Sequence, residues 1–98
     1  MELEWDEEKR QRNLKQRGLD FADVKWFEPD SVITLRDERA DYGEPRFNSY
    51  GSLRGVPCCF CWTPRNGRIR IISLRKINDR ERKIYEERRK ATEPSSDA

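Results

Sequence analysis

Two dipeptides, Arg54-Gly55 and Asn66-Gly67, fix the topology of the middle of the chain. Each separates two runs rich in β-branched, aromatic or other apolar residues, so each marks a tight hairpin turn. Asn-Gly is the stronger signal, because both central residues of the favoured hairpin turn need positive φ. Together they string residues 46–53, 56–63 and 68–75 into three successive antiparallel strands. Alternation in the first puts Phe47, Ser49 and Gly51 on one face and Asn48, Tyr50 and Ser52 on the other. In the last, Arg68 and Arg70 share a parity with Ile72 and Leu74, while Ile69 and Ile71 share one with Ser73 and Arg75. A central strand with charged ends fits that pattern, and so does a strand flipped by a bulge.

The remaining elements follow from caps and breakers. Residues 3–5 alternate with acids as a short strand; Asp6 then caps a helix to about Arg17, with Glu7 and Glu8 in its first turn, and Gly18 closes it. Asp20 caps a second, short helix over residues 21–28, in which Phe21, Val24 and Phe27 recur near helical spacing and Trp26 lies off the stripe. Pro29 ends it. Residues 31–35 are β-branched and predict a strand, and the charged stretch 37–43 predicts a loop. Asn78 and Glu81 have the spacing of a capping box for a polar helix to about Lys90, with Ile84 and Tyr85 as its apolar contacts. Residues 92–98 form a polar tail with the composition of a disordered segment. The expectation is one α+β domain over residues 1–91: an antiparallel four-stranded sheet plus a short N-terminal strand, packed with two N-terminal helices and a C-terminal helix.

Charge bears on what such a domain meets. Over residues 65–90, eleven Lys and Arg stand against four acids, in a chain of net charge +2. The excess is segregated at one end of the sequence, where it steers a polyanionic partner. Hydrophobic residues are 34% and charged residues 41%, so the core is small; three Trp, three Tyr and four Phe still give it large apolar bodies. Cys58, Cys59 and Cys61 lie in one apolar run, where adjacent residues of a strand face opposite ways. An odd count in that position predicts small core hydrophobes rather than a disulfide framework. The chain has no His, which excludes Ser-His-Asp and Cys-His nucleophiles and paired-His ribonuclease chemistry; with no separated Cys or His pairs, no metal and no cofactor is expected. No apolar run approaches the ~20 residues of a membrane helix, and the acidic start is unlike a signal peptide, so a cytoplasmic location and no membrane partner are expected.

Three blocks in fixed order carry a family resemblance. They are W-D-x-x-K-x-x-x-N-L at Trp5, Asp6, Lys9, Asn13 and Leu14; G-E-x-R-F at Gly43, Glu44, Arg46 and Phe47; and an R-I-I-S-x-R strand followed by an R-E-R-x-x-Y helix over residues 70–85. In these the chain resembles the BrnT toxins of bacterial type II toxin-antitoxin systems. The resemblance implies a compact fold like that of RelE ribonucleases and RNA cleavage that arrests translation. It also implies neutralisation by a BrnA-like antitoxin carrying a ribbon-helix-helix element, with operator DNA bound only through the antitoxin complex. The family commonly reads K-H-G at the end of the first helix, where this chain has Gln16, Arg17 and Gly18.

RNA cleavage through the 2′-hydroxyl needs in-line geometry and stabilisation of a charged phosphorane, and the arginine fork supplies the second. Arg46, Arg70 and Arg75 are therefore the candidates for phosphate binding and transition-state stabilisation, with Tyr85 as a candidate for stacking or proton donation. Tyr85 fits a half-buried packing role better than either, and Glu81 fits a helix cap before a general base. Lys9, Lys15, Arg17, Arg68 and Arg82 are candidates to border the RNA, although Arg68 also suits a sheet-edge solubiliser. A catalytically degenerate module that only binds RNA or the antitoxin is the competing reading.

Overall fold

The computed structural model describes residues 2–39 and 41–92. Its strands are β1 (Leu3–Trp5), β2 (Ile33–Arg36), β3 (Phe47–Leu53), β4 (Val56–Arg65) and β5 (Arg68–Lys76); its α-helices are α1 (Glu7–Arg17) and α2 (Asp79–Thr92). They form one five-stranded sheet in the order β1-β5-β4-β3-β2. The four strands from β2 to β5 pair antiparallel in sequence. The N-terminal strand does not stand beside the sheet as an addition: β1 joins it parallel to β5, with Leu3 opposite Ile69 and Trp5 opposite Ile71, so the sheet is mixed.

Both hairpins turn where expected. Arg54 and Gly55 have φ of 51° and 83°, and Asn66 and Gly67 have 53° and 75°, the paired positive values that match the twist of the flanking strands. Asp6 caps α1 by accepting from the amides of Glu8 and Lys9 at 2.9 and 3.2 Å, and Gly18 ends it in the left-handed conformation at φ 69°. Asn78 and Glu81 form the reciprocal capping box of α2, at 2.8 and 3.1 Å.

The second N-terminal helix is a correction. Phe21–Trp26 is a 3-10 helix, and a further 3-10 turn follows at Pro29–Ser31. The reason lies in the spacing: Phe21, Val24 and Phe27 are three apart, which keeps one face at 3.0 residues per turn and drifts off it at 3.6. All three are buried and join Leu53, Cys58, Phe60, Ile71 and Leu74 in the core, where Phe27 meets Phe60 edge-on with centroids 4.9 Å apart. The turn at Ser31 approaches β3 closely, for a Cβ on Gly51 would lie 3.0 Å from Ser31 Oγ. The same hydroxyl accepts from the amide of Ser52 at 2.9 Å. Asn13, in the first motif block, is buried; it donates to Leu19 O at 2.9 Å and accepts from the Leu74 amide at 3.4 Å, capping the edge of β5 beyond the end of β1. Of the proposed tail, residues 93–98 lie outside the described residues, and Thr92 closes α2.

Candidate functional site

The core occupies one face of the sheet, and the other face holds the candidate site. β5 decides what that face displays. Cys61 pairs with Ser73 and Trp62 with Ile71, so Ile72 has no partner and forms a bulge. Before it Ile69 and Ile71 face the core; after it Leu74 does. Arg70, Ser73 and Arg75 consequently share the open face, opposite Thr63, Cys61 and Cys59 respectively. Neighbouring residues on β3 and β2 complete two rows: Leu35, Asn48, Cys61, Ser73; and Ile33, Tyr50, Cys59, Arg75. Arg46 continues the parity of Asn48 and Tyr50 one step beyond β3, toward the end where Thr63, Arg70 and Glu4 lie. Successive rows are about 7 Å apart, two residues along a strand.

Two walls turn this face into a groove. One is built from residues 37–39 and 41–46. The other is the start of α2, which leaves β5 and crosses the last row so that Glu81 meets Arg75 and Tyr85 reaches the β2 side. The groove has a volume of about 430 Å³, and Arg46, Asn48, Cys61, Ser73, Arg75 and Glu81 are among the residues lining it.

Arg75 and Glu81 form a two-pronged ion pair, with both nitrogen-to-oxygen distances at 2.8 Å. The Arg75 guanidinium holds the Glu81 carboxyl below its ordinary range, against the opposing effect of burial. Glu81 is therefore ionised in the groove wall while it also caps α2. Arg46 lies with its guanidinium carbon 4.1 Å from the centre of the Tyr42 ring, its Nη2 3.6 Å from Glu44, and its buried Nε without a hydrogen-bond partner among the described residues. Asp37, nearly fully buried, is held well below the usual carboxylate range, first by the hydrogen bond from Arg39, then against burial, with further help from Asn48. Burial pushes the Cys59 thiol up to about 11, so the floor of the groove carries neutral thiols.

The candidate residues divide over this geometry. Arg46 and Arg75 face the same groove. Arg70 shares their face but is drawn toward the β1 side, 3.6 Å from Glu4, and Arg68 meets Glu2 at 3.1 Å. Tyr85 is not brought to the groove: it is buried, and its hydroxyl donates to the carbonyl of Ser31, which pins α2 to the 3-10 turn ahead of β2. Arg82 is exposed on α2 and pairs with Asp79 at 3.5 Å. Lys9 and Arg17 border a shallow hollow at the edge of the sheet whose floor includes Ile72. Because Ile72 also lines the groove, this hollow adjoins it at the bulge. Lys15 lies apart, beside Gln11 and Leu14. Trp26 is exposed under Lys25, whereas Trp62 stacks on Phe47 and donates to Ser49 at 2.8 Å.

Asn48, Tyr50 and Ser73 are groove residues that sequence reasoning did not select. The parity of β3 was a signal for the first two; Ser73 needed the bulge.

The chain matches the model of the ribonuclease toxin BrnT of type II toxin-antitoxin systems over residues 5–81, and it belongs to that family. The family makes it a ribonuclease toxin that acts with an antitoxin partner. No curated protein matched it. Among the described residues no helix is long and apolar enough to cross a membrane.

Proposed function

We propose that the chain is an endoribonuclease that cuts RNA in the groove between Arg46 and Arg75 without a metal ion and thereby arrests translation. In this reading it has a RelE-type fold, acts in the cytoplasm, and is held inactive by a BrnA-like ribbon-helix-helix antitoxin. Operator DNA is bound by the toxin-antitoxin complex and not by this chain alone. The observation that carries the reading is the Ile72 bulge, which turns Arg75 onto the open face that Arg46 also borders.

The chemistry uses only groups of the groove. Arg46 and Arg75 hold the phosphate region and stabilise the charge that develops on the phosphorane. Glu81 remains a carboxylate beside Arg75 and takes the proton of the 2′-hydroxyl as that oxygen attacks the adjacent phosphorus. The bond from phosphorus to the 5′-oxygen breaks and water protonates that oxygen, leaving a 2′,3′-cyclic phosphate and a 5′-hydroxyl. Asn48 and Ser73, in the row between the two arginines, are placed to orient the ribose and phosphate.

A binding module without turnover is favoured by one observation: Arg70 and Arg75 each already face a carboxylate. It predicts RNA affinity that falls steeply with salt and no product. Incubating the purified, antitoxin-free chain with RNA in EDTA separates the two. Fragments with cyclic phosphate ends support the ribonuclease; salt-dependent binding with intact RNA supports the module.

A further inference from the structure

The outer edge of β2 and the adjoining side of α2 form a second surface that RNA cleavage does not use. β2 ends the sheet, and its neighbour is β3 alone. The Asp37 amide donates to Arg46 O at 2.8 Å, which fixes the alternation of the β2–β3 ladder. Residues 33, 35 and 37 exchange bonds with β3, and the backbone groups of Thr34 and Arg36 point away from the sheet. Edge strands are ordinarily blunted by proline, a bulge, charge or a covering element. β2 pairs in regular register, contains no proline, and carries its charge only at its end, in Arg36.

Beside this edge, Ile33, Leu35, Tyr50, Ile84 and Tyr85 line an apolar groove of about 90 Å³ together with Arg88. Leu35 and Ile84 are 36% and 49% exposed, so two large aliphatic side chains stand open where strand and helix meet. Arg36 and Arg88 enter no ion pair among the described residues, in a protein whose other groove arginines are paired.

We propose that this edge and groove dock a β-strand of the antitoxin in which apolar residues alternate with acidic ones. Its backbone pairs with Thr34 and Arg36, its apolar side chains cover Leu35 and Ile84 beside Arg88, and its carboxylates, on the other face of the strand, meet Arg36. A helix would leave the outward groups of β2 unpaired. Leu35, Tyr50 and Glu81 line both grooves, so a segment seated here abuts Arg75 and obstructs the RNA path. The inference rests on the family's antitoxin partner and not on cleavage.

The test compares the full chain alone with the chain bound to the antitoxin encoded beside it. In the complex, the amides of Thr34 and Arg36 exchange at least about tenfold more slowly. Arg36→Pro removes an amide that faces outward at an exposed strand end, a change edge strands tolerate, and Ile84→Glu alters an exposed position; each weakens antitoxin binding at least about tenfold while the melting temperature confirms folding. Unchanged affinity in both variants with unchanged exchange at residues 34 and 36 overturns the proposal. So does a dimeric antitoxin-free chain with those amides already protected, which would assign the edge to a second copy. A chain that shows the binding signatures and cleaves no RNA supports this inference and removes the ribonuclease reading.

Discussion

Arg70 and Arg75 are five positions apart on β5, an odd separation, yet they project from the same face of the sheet because Ile72 has no partner on β4. In a regular strand one of them would point into the core. A single extra residue thus lets β5 contribute Ile71 and Leu74 to the core and two arginines to the opposite face. That arrangement makes the bulge the first place to perturb.

Deleting Ile72 removes the unpaired residue and leaves Ile71 and Leu74 facing the core and Arg70 and Arg75 facing the open side. Denaturant melts of the deletion are expected to show a loss of about 0.5–3 kcal/mol with RNA cleavage retained, and absent cleavage in a folded deletion would show that the local twist of the bulge is itself required. Leu74→Ala, which empties a fully buried site, is expected to cost about 2–5 kcal/mol.

The two arginines of the groove and Arg70, drawn away toward β1, are expected to differ. Arg75→Ala and Arg46→Ala each lower kcat by about 10²–10³, the usual effect of removing one donor to a developing charge. Arg70 pairs with Glu4 away from the groove, so Arg70→Ala is expected to change kcat less than about tenfold. Equal losses at Arg70 and Arg75 would show that the substrate reaches further toward β1 than the groove does.

Much of this arrangement was legible in the sequence, and the parts that were not have physical causes. Asp6, Gly18, Asn66-Gly67 and the Asn78–Glu81 box act through neighbours a few residues away, so local sequence specifies them. The parity of β3 was equally open, since nothing interrupts its alternation. The two possible readings of β5 required the β4 register to decide. Tyr85 and Arg75 illustrate the limit for the site: both belong to the final motif blocks, but one ends under the helix against Ser31, 54 positions earlier, and the other in the groove. Asn13 belongs to the first motif block, and its side chain is a long-range cap on Leu74, 61 positions away.

Tyr85→Phe tests that assignment by stability. Removing the hydroxyl leaves the buried Ser31 carbonyl without this donor and is expected to cost about 1–3 kcal/mol, read from chemical denaturation. Cleavage per folded molecule is expected to stay within about threefold. A hundredfold loss in a folded Tyr85→Phe protein would return Tyr85 to the chemistry.

Acid should loosen α2 through Glu81. Its folded pKa lies below the ordinary value of 4.5, first because Arg75 hydrogen-bonds it. The stabilising contribution is therefore fully present above that ordinary value and is lost as pH falls through the lower, folded one. Asp37, depressed by Arg39, adds a loss of the same sign at the opposite wall of the groove. The melting temperature is expected to drop on acidification below about pH 4.5, and to drop less in Glu81→Gln, measured by circular dichroism across a pH series.

Induction of the chain alone in a bacterial host, beside Arg75→Ala and Arg17→His, tests the ribonuclease groove most directly when the RNA pool is followed with growth. Growth arrest with fragmented RNA, abolished by Arg75→Ala and unchanged by Arg17→His, is the predicted result, since Arg17 borders the hollow behind Ile72 rather than the groove floor. Harmless expression of soluble protein, with cleavage appearing only in Arg17→His, would contradict it and identify a degenerate toxin that binds without cutting.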